Sequence, residues 1–293
     1  AEELSAALKI ALNSAYGLTS ASFENAMRDK RNVNNIVALR GALFMRTLQD
    51  AVQARGFTVA HIKTDSIKIP NATPEIIEFC KDFATQYGYI FEHEATYGKM
   101  CLVNNAVYIA KYAWAEKKKK IGKWVATGAQ FAEPFLFKTV FAKEPIVFDD
   151  YRQTKSVTSP AIMYLDFNEG LPEGEHNYVH IGRVGSFVPV IEGVGGGILL
   201  RKNGDSYTSV VGTKGYRWKE SDIVKSLGNE DQIALAYYYR LIDEAIASIK
   251  TYGPIEKFVE DWHEPDKDDD FPIGFDECPH ETAVANAIIL KGD

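Results

Sequence analysis

The feature that most constrains this chain is a nine-residue run, His61-Ile-Lys-Thr-Asp-Ser-Ile-Lys-Ile69, approached through Phe57-Thr-Val-Ala60. An apolar approach gives way to a tight polar centre, Lys63-Thr64-Asp65-Ser66, and Ile67 and Ile69 lead out. The pattern predicts a β-hairpin over 57–69 with a carboxylate at its tip. A carboxylate held there can bind a hard cation through oxygen, although Asp is common at turns of every kind.

The flanking segments read as cover for such a hairpin. Residues 2–16 form a helical pattern, with Leu4, Leu8, Leu12 and Ala15 on one face and Gly17 as a C-terminal stop. Lys9, Asn13 and Tyr16 lie near one stripe of that helix, about one turn apart. Each taken singly is an ordinary solvated position. Residues 33–54 continue the pattern through Val33, Ile36, Val37, Leu39, Leu43, Phe44, Leu48 and Val52, and Gly56 ends it. Thr73 as cap and Pro74 at the first helical position open a further helix running to about Tyr87. Three strand candidates follow at 89–95, 99–104 and 106–113. The expectation is an α+β layer, a small antiparallel sheet backed by helices.

At 293 residues the chain can bury a large core. Its net charge of −7 argues against a uniformly basic nucleic-acid binder, but the charge is split. Residues 1–140 hold 18 Lys/Arg against 13 Asp/Glu, a net of +5, and residues 141–293 hold 15 against 27, a net of −12. A basic face therefore belongs to the first half. Cys80, Cys101 and Cys278 form no paired motif, which fits a reducing cytoplasm. The alternative is a Cys278–His280 metal pair. No apolar run is long enough to span a bilayer, so no membrane partner is expected.

Past about residue 145 short strands alternate with Gly and Asn turns, at 161–165, 178–181, 187–191, 198–201 and 207–211, with Asn203-Gly204 as a hairpin turn. Gly193-Val-Gly-Gly-Gly197 lacks the Lys-Ser/Thr of a phosphate loop and reads as turn glycines. Gly212-Thr-Lys-Gly-Tyr-Arg-Trp218 interleaves cations with aromatics, as a nucleic-acid surface or an ordinary strand would. Lys117–Lys120 is a solvated tip or a phosphate-contacting loop. Residues 130–142, 219–227 and 229–251 read as helical, and the tail from Glu264 is acidic.

Three landmarks then fall in order. Lys9-x-x-x-Asn13-Ser14-x-Tyr16-Gly17 resembles the fingers helix, motif B, of family B DNA polymerases of the phage type. Lys63-Thr-Asp65-Ser66 resembles their motif C, usually Asp-Thr-Asp-Ser. Val103-Asn-Asn-Ala-Val-Tyr108 stands where the family has a strand with Lys-Lys-x-Tyr. The resemblance covers about residues 1–140. It implies fingers helices over 1–56, a palm with the metal hairpin over 57–142, and a β-rich and helical thumb or C-terminal module over 143–293. It also implies a DNA-directed DNA polymerase acting on primer-template DNA and dNTPs with Mg2+. Asp65 would be a catalytic metal ligand. Lys9, Asn13, Tyr16 and Thr64 would meet the nucleotide. Ser66, Tyr108, Lys111, Lys214 and Arg217 would meet DNA.

Two departures qualify the match. Lys63 replaces the first Asp of motif C, and the second metal carboxylate, which the family draws from motif A (Asp-x-x-Ser-Leu-Tyr-Pro), has no counterpart here. The expectation is a C-terminal portion, inactive alone and completed by an N-terminal subunit or segment bearing motif A. It would act in the cytoplasm, the host's if phage-encoded. The alternative is a non-catalytic DNA-binding or replisome-scaffolding module. A third reading is a permuted polymerase using Asp166, which otherwise reads as a strand-end Asp.

Overall fold

The computed structural model describes residues 2–168, 171, 178–260 and 262, and residues 287–292 by their backbone. The acidic tail and the Cys278–His280 pair lie outside the described residues. The elements in chain order are α1 (Glu2–Thr19), α2 (Lys30–Val33), α3 (Ile36–Gln53), β1 (His61–Lys63), β2 (Ser66–Pro70), α4 (Pro74–Gln86), β3 (Phe91–Asn104), β4 (Val107–Ala115) and β5 (Trp124–Thr127). Then come α5 (Ala129–Ala132), α6 (Pro134–Leu136), β6 (Gln153–Ser156), β7 (Ile162–Asp166), β8 (Tyr178–Gly182), β9 (Val184–Val190), β10 (Ile198–Asn203), β11 (Ser206–Ser209) and β12 (Arg217–Glu220). The last are α7 (Ser221–Leu227), α8 (Leu235–Lys250), α9 (Ile255–Phe258) and β13 (Ala287–Gly292). The class is α+β, and no helix of the described residues is long and apolar enough to cross a membrane. The chain packs as two compact units, one of residues 1–100, 110–123 and 285–293, the other of 101–109 and 124–284.

In the first unit the strand order runs β1-β2-β13-β3-β4. One core joins Phe44, Met45, Leu48 and Val52 of α3, Ile67 and Ile69 of β2, and Ile76, Cys80 and Ala84 of α4. Apolar side chains at helical spacing thus cover one face of the hairpin. Burial pushes the Cys80 thiol up to about 12, marking it as packing rather than chemistry. Thr73 sits extended at the cap position of α4 without bonding its backbone, and its hydroxyl meets Glu75 instead.

The helical pattern expected over 33–54 breaks at Asn35, whose φ of 58° lies in the left-handed region that Asn tolerates better than most residues. Gly17 stops nothing, for α1 runs on to Thr19, where Ser20 Oγ donates to the Tyr16 carbonyl at 2.7 Å. The two strands expected at 89–95 and 99–104 are one long strand, β3, with Gly98 inside it. A Cβ there would lie 3.3 Å from that of Ala113, so the glycine admits a close neighbour rather than a break.

The second unit holds the sheet β11-β10-β7-β8, a smaller one in the order β12-β9-β6, and β5 beside the adjoining end of β4. Its core gathers Met163, Phe187, Leu199, Trp218, Tyr237, Tyr238, Ile242 and Ile249, with α8 contributing the last four. A polar chain is buried beside it. Gln153 Nε2 donates to Glu133 Oε1 at 2.9 Å, and Tyr237 Oη donates to Gln153 Oε1 at 3.2 Å. Burial raises the Glu133 pKa and lowers that of Lys155 nearby. The helix expected from residue 229 begins at Leu235, because the preceding stretch bonds β9 instead, Ala234 N–H donating to the Pro189 carbonyl at 3.0 Å.

Candidate functional site

The β1–β2 hairpin builds its tip from a two-residue loop, Thr64-Asp65, between the paired Lys63 and Ser66. Ser66 Oγ donates to the Lys63 carbonyl at 3.1 Å and closes the turn. Thr64 takes a φ of 54°, a costly conformation for a β-branched residue. Asp65 is exposed, with Thr64 and Lys63 exposed beside it and Ser66 half-buried. Below the tip the strands alternate in the ordinary way. Ile67 and Ile69 enter the helix-covered core, while His61 and Lys68, which pair across the ladder, belong to the other face.

That pair is the feature the sequence reading missed. Lys68 is 2% exposed, and its Nζ lies 3.0 Å from His61 Nδ1, a distance at which an ammonium donates to a neutral imidazole. Burial, with Lys63 adding repulsion, holds the Lys68 pKa down at about 8, against partial support from Glu94. The register was readable, since a loop at 64–65 pairs 63 with 66 and 61 with 68. The burial was not, because β1 and β2 alone cannot enclose a side chain.

A single exposed carboxylate with nearby hydroxyl and carbonyl oxygens suits a hard cation such as Mg2+, which keeps several waters and takes one or two carboxylates from protein. Among the described residues no group of three His, Cys, Asp or Glu side chains is gathered around one point. One exposed carboxylate, Asp65, stands at the tip.

Lys9, Asn13 and Tyr16 fall on one stripe of α1, and Lys9 and Asn13 line a shallow open depression with Leu4, Ser5, Leu8 and Leu12. Every side chain from Glu3 to Leu18 is exposed, Leu12 to 71%. The helix therefore displays these residues without packing them against Asp65. Lys111, half-buried on β4, belongs to the same unit.

Tyr108, Lys214 and Arg217 belong to the other unit. Tyr108 is buried, at 9% exposure, and Lys214 is exposed. Arg217 sits half-buried on β12 opposite Val190. Of the mixed cation–aromatic stretch, Trp218 is fully buried and donates through Nε1 to the Thr213 carbonyl at 3.0 Å, so it packs rather than stacks on a base. The Gly193–Gly197 loop leads into β10, with Gly197 bridged to Trp218. Asp166 accepts from the Asn168 N–H at 2.8 Å, an ordinary strand-end turn. Lys120 of the basic run pairs with Glu94 at 3.5 Å and lies over the Tyr112 ring, leaving Lys117–Lys119 exposed.

No protein-family model matches this sequence, and no curated protein matches it.

Proposed function

We propose that this chain is the part of a DNA-directed DNA polymerase of family B that carries the metal-binding hairpin, and that, once a partner segment supplies a second carboxylate, it joins the nucleotidyl group of a dNTP to a primer 3′ hydroxyl with release of pyrophosphate. The observation that carries the reading is Asp65. It stands solvent-exposed at the tip of a tight hairpin whose rear face is clamped by α3 and α4, with the Lys-Thr-Asp-Ser turn at its apex. Bound Mg2+ would be held by Asp65 and the partner's carboxylate, supplying charge stabilisation to the entering and leaving oxygens.

The chain's own residues bind and position. The Lys9 ammonium neutralises the incoming triphosphate as a point charge. Asn13 and Tyr16, on the same stripe, wall the nascent base pair. Thr64 lies beside the nucleotide, and Ser66 and Lys111 face the DNA. The exposed apolar stripe of α1 is the surface a partner segment would cover.

The test is reconstitution. The chain together with an N-terminal polymerase segment bearing motif A is expected to extend a primer in Mg2+. Asp65→Ala is expected to reduce extension by more than the ~10–100-fold typical of losing an outer-shell partner, with duplex binding retained. Undiminished extension by that variant would sink the assignment. A second reading, a DNA-binding module without catalysis, is favoured by Lys63, an exposed cation two residues from Asp65. It predicts that Lys63→Asp restores no metal dependence.

A further inference from the structure

We propose that the turn between β4 and β5 is a binding site for single-stranded nucleic acid, with an unpaired base stacked on Trp114 and the strand's phosphates on Lys117, Lys118, Lys119 and Lys123. The site goes beyond the polymerase reading above, which places duplex on other residues. It rests on charge and ring geometry within one compact unit.

The positive charge of the first half is concentrated at this one turn. Residues 1–140 carry a net of +5, 18 Lys/Arg against 13 Asp/Glu, and residues 117–123 hold five lysines and no acid, so the remainder balances at 13 against 13. The turn is bonded to the sheet at both ends. Tyr112 N–H donates to the Lys123 carbonyl at 3.0 Å, Gly122 N–H to the Tyr112 carbonyl at 2.9 Å, and Glu116 N–H to the Glu94 carbonyl at 3.0 Å. Between those bonds Lys118–Lys120 wind as a 3-10 helix, with three residues per turn. Lys120 is tied inward, its Nζ 3.5 Å from Glu94 Oε1 and 5.5 Å from the centre of the Tyr112 ring. Lys118 and Lys119 leave the helix in other directions, and with Lys117 and Lys123 they are exposed. Four like charges held together in solvent repel one another, and a polyanion relieves that repulsion while releasing its own counterions.

An aromatic surface stands beside the lysines. Trp114, near the end of β4, is 42% exposed. His93 of β3 stacks on it, with ring centres 4.5 Å apart and planes 23° from parallel. Thr96 holds the imidazole in turn, its Oγ1 lying 3.0 Å from His93 Nε2. Burial, with Lys81 adding repulsion, lowers the His93 pKa against a backbone bond at Ala95. At neutral pH the ring behind the indole is therefore uncharged, and the pair presents a π-face rather than a cation. Trp114 and Lys117 are three residues apart, at most about 11 Å between Cα atoms, or about three nucleotides along a strand. A single strand offers a planar base and a phosphate at every step, and this surface offers an indole and a row of ammonium groups. A duplex hides the faces of its bases, and an acidic peptide leaves the indole unmatched.

The experiment titrates the full chain with a fluorescein-labelled oligothymidylate of about twelve nucleotides, within the span one such surface covers, and separately with a blunt duplex of the same length. Trp114→Ala is expected to weaken oligothymidylate binding at least about fivefold, as loss of one base stack does, and to leave duplex affinity within about twofold. Trp114→Phe, which keeps a ring, should restore most of that loss. The double change Lys118→Glu, Lys119→Glu should lower the log–log salt slope of strand binding by at least about 1.4, two phosphate contacts at about 0.7 each. If Trp114→Ala disturbs folding, the decision passes to this slope and to quenching of tryptophan fluorescence by the strand, which should fall in Trp114→Phe. Unchanged strand affinity in Trp114→Ala, or an equal loss for duplex, overturns the site. So does lysine-dependent binding to vesicles of phosphatidylcholine and phosphatidylserine without Trp114-dependent strand binding, which assigns the turn to a lipid surface. Asp65→Ala should leave strand binding unchanged. Trp114-dependent strand binding without primer extension by the reconstituted chain upholds the site and overturns the polymerase reading alone.

Discussion

Thr64 is where the hairpin is under most local stress. A β-branched residue at a φ of 54° costs of order 1–3 kcal/mol relative to a residue that tolerates the left-handed region. Thr64→Asn should therefore raise stability by about 1 kcal/mol, read as a higher urea midpoint at unchanged slope. If Thr64 positions the nucleotide, the same change lowers extension by the reconstituted enzyme while the fold gains. Lys68 sets a second expectation. Its pKa in the fold is about 8 against 10.5 for a free lysine. Below pH 8 both folded and unfolded chains carry the proton, and the full burial cost, roughly 3 kcal/mol at 1.36 kcal/mol per pKa unit, is present. Between pH 8 and 10.5 the unfolded chain holds a proton that the folded chain has released, so stability rises with pH. His61, Lys63 and Glu94 are among the charged and titratable groups about Lys68. Denaturation of Lys68→Met across that window should lack the rise and show greater stability at pH 7, by ~1–3 kcal/mol.

α1 and α3 show how differently two amphipathic helices can be used. α3 buries Phe44, Met45, Leu48 and Val52 in its C-terminal part, while Ile36, Val37, Leu39 and Leu43 near its start are exposed. α1 has the same kind of pattern and buries none of the residues from Glu3 to Leu18. Helices of this length are marginal in water without a packed face. Leu48→Ala should cost ~2–5 kcal/mol by leaving a cavity. Leu12→Ser should stay within ~0.5 kcal/mol in thermal unfolding yet weaken binding of a partner that covers α1. The periodicity of both helices was plain in the sequence. Which face would be covered was not, since leucines three and four residues apart define an apolar stripe and carry no information about what meets it. The long β3 makes the same point, for it joins the two strands expected at 89–95 and 99–104, and a Cβ at Gly98 would meet Ala113.

The charge split gives the molecule an expected ionic signature. On the proposed polymerase reading, with a net of +5 over residues 1–140, duplex binding should weaken steeply with salt. Lys111→Glu should weaken it uniformly across sequences and lower the log–log salt slope by at least about one, measured by fluorescence anisotropy. What the sequence by itself determined is local: the hairpin with Asp65 at its tip, the start of α4 at Pro74, and the β-rich second half. Turn chemistry, period-two alternation and helix-start signals act over a few residues and are written where they act. Only the tertiary structure decided that Lys68 is buried, that residues 101–109 pack with 124–284, and that a strand from the far end of the chain separates β2 from β3. Each is a pairing between distant segments. It is chosen by competition among apolar faces and open strand edges across the whole chain, and an open edge accepts any suitably alternating strand. Residues 287–290 form a short apolar run suited to a sheet, but nothing in it names the edges it joins.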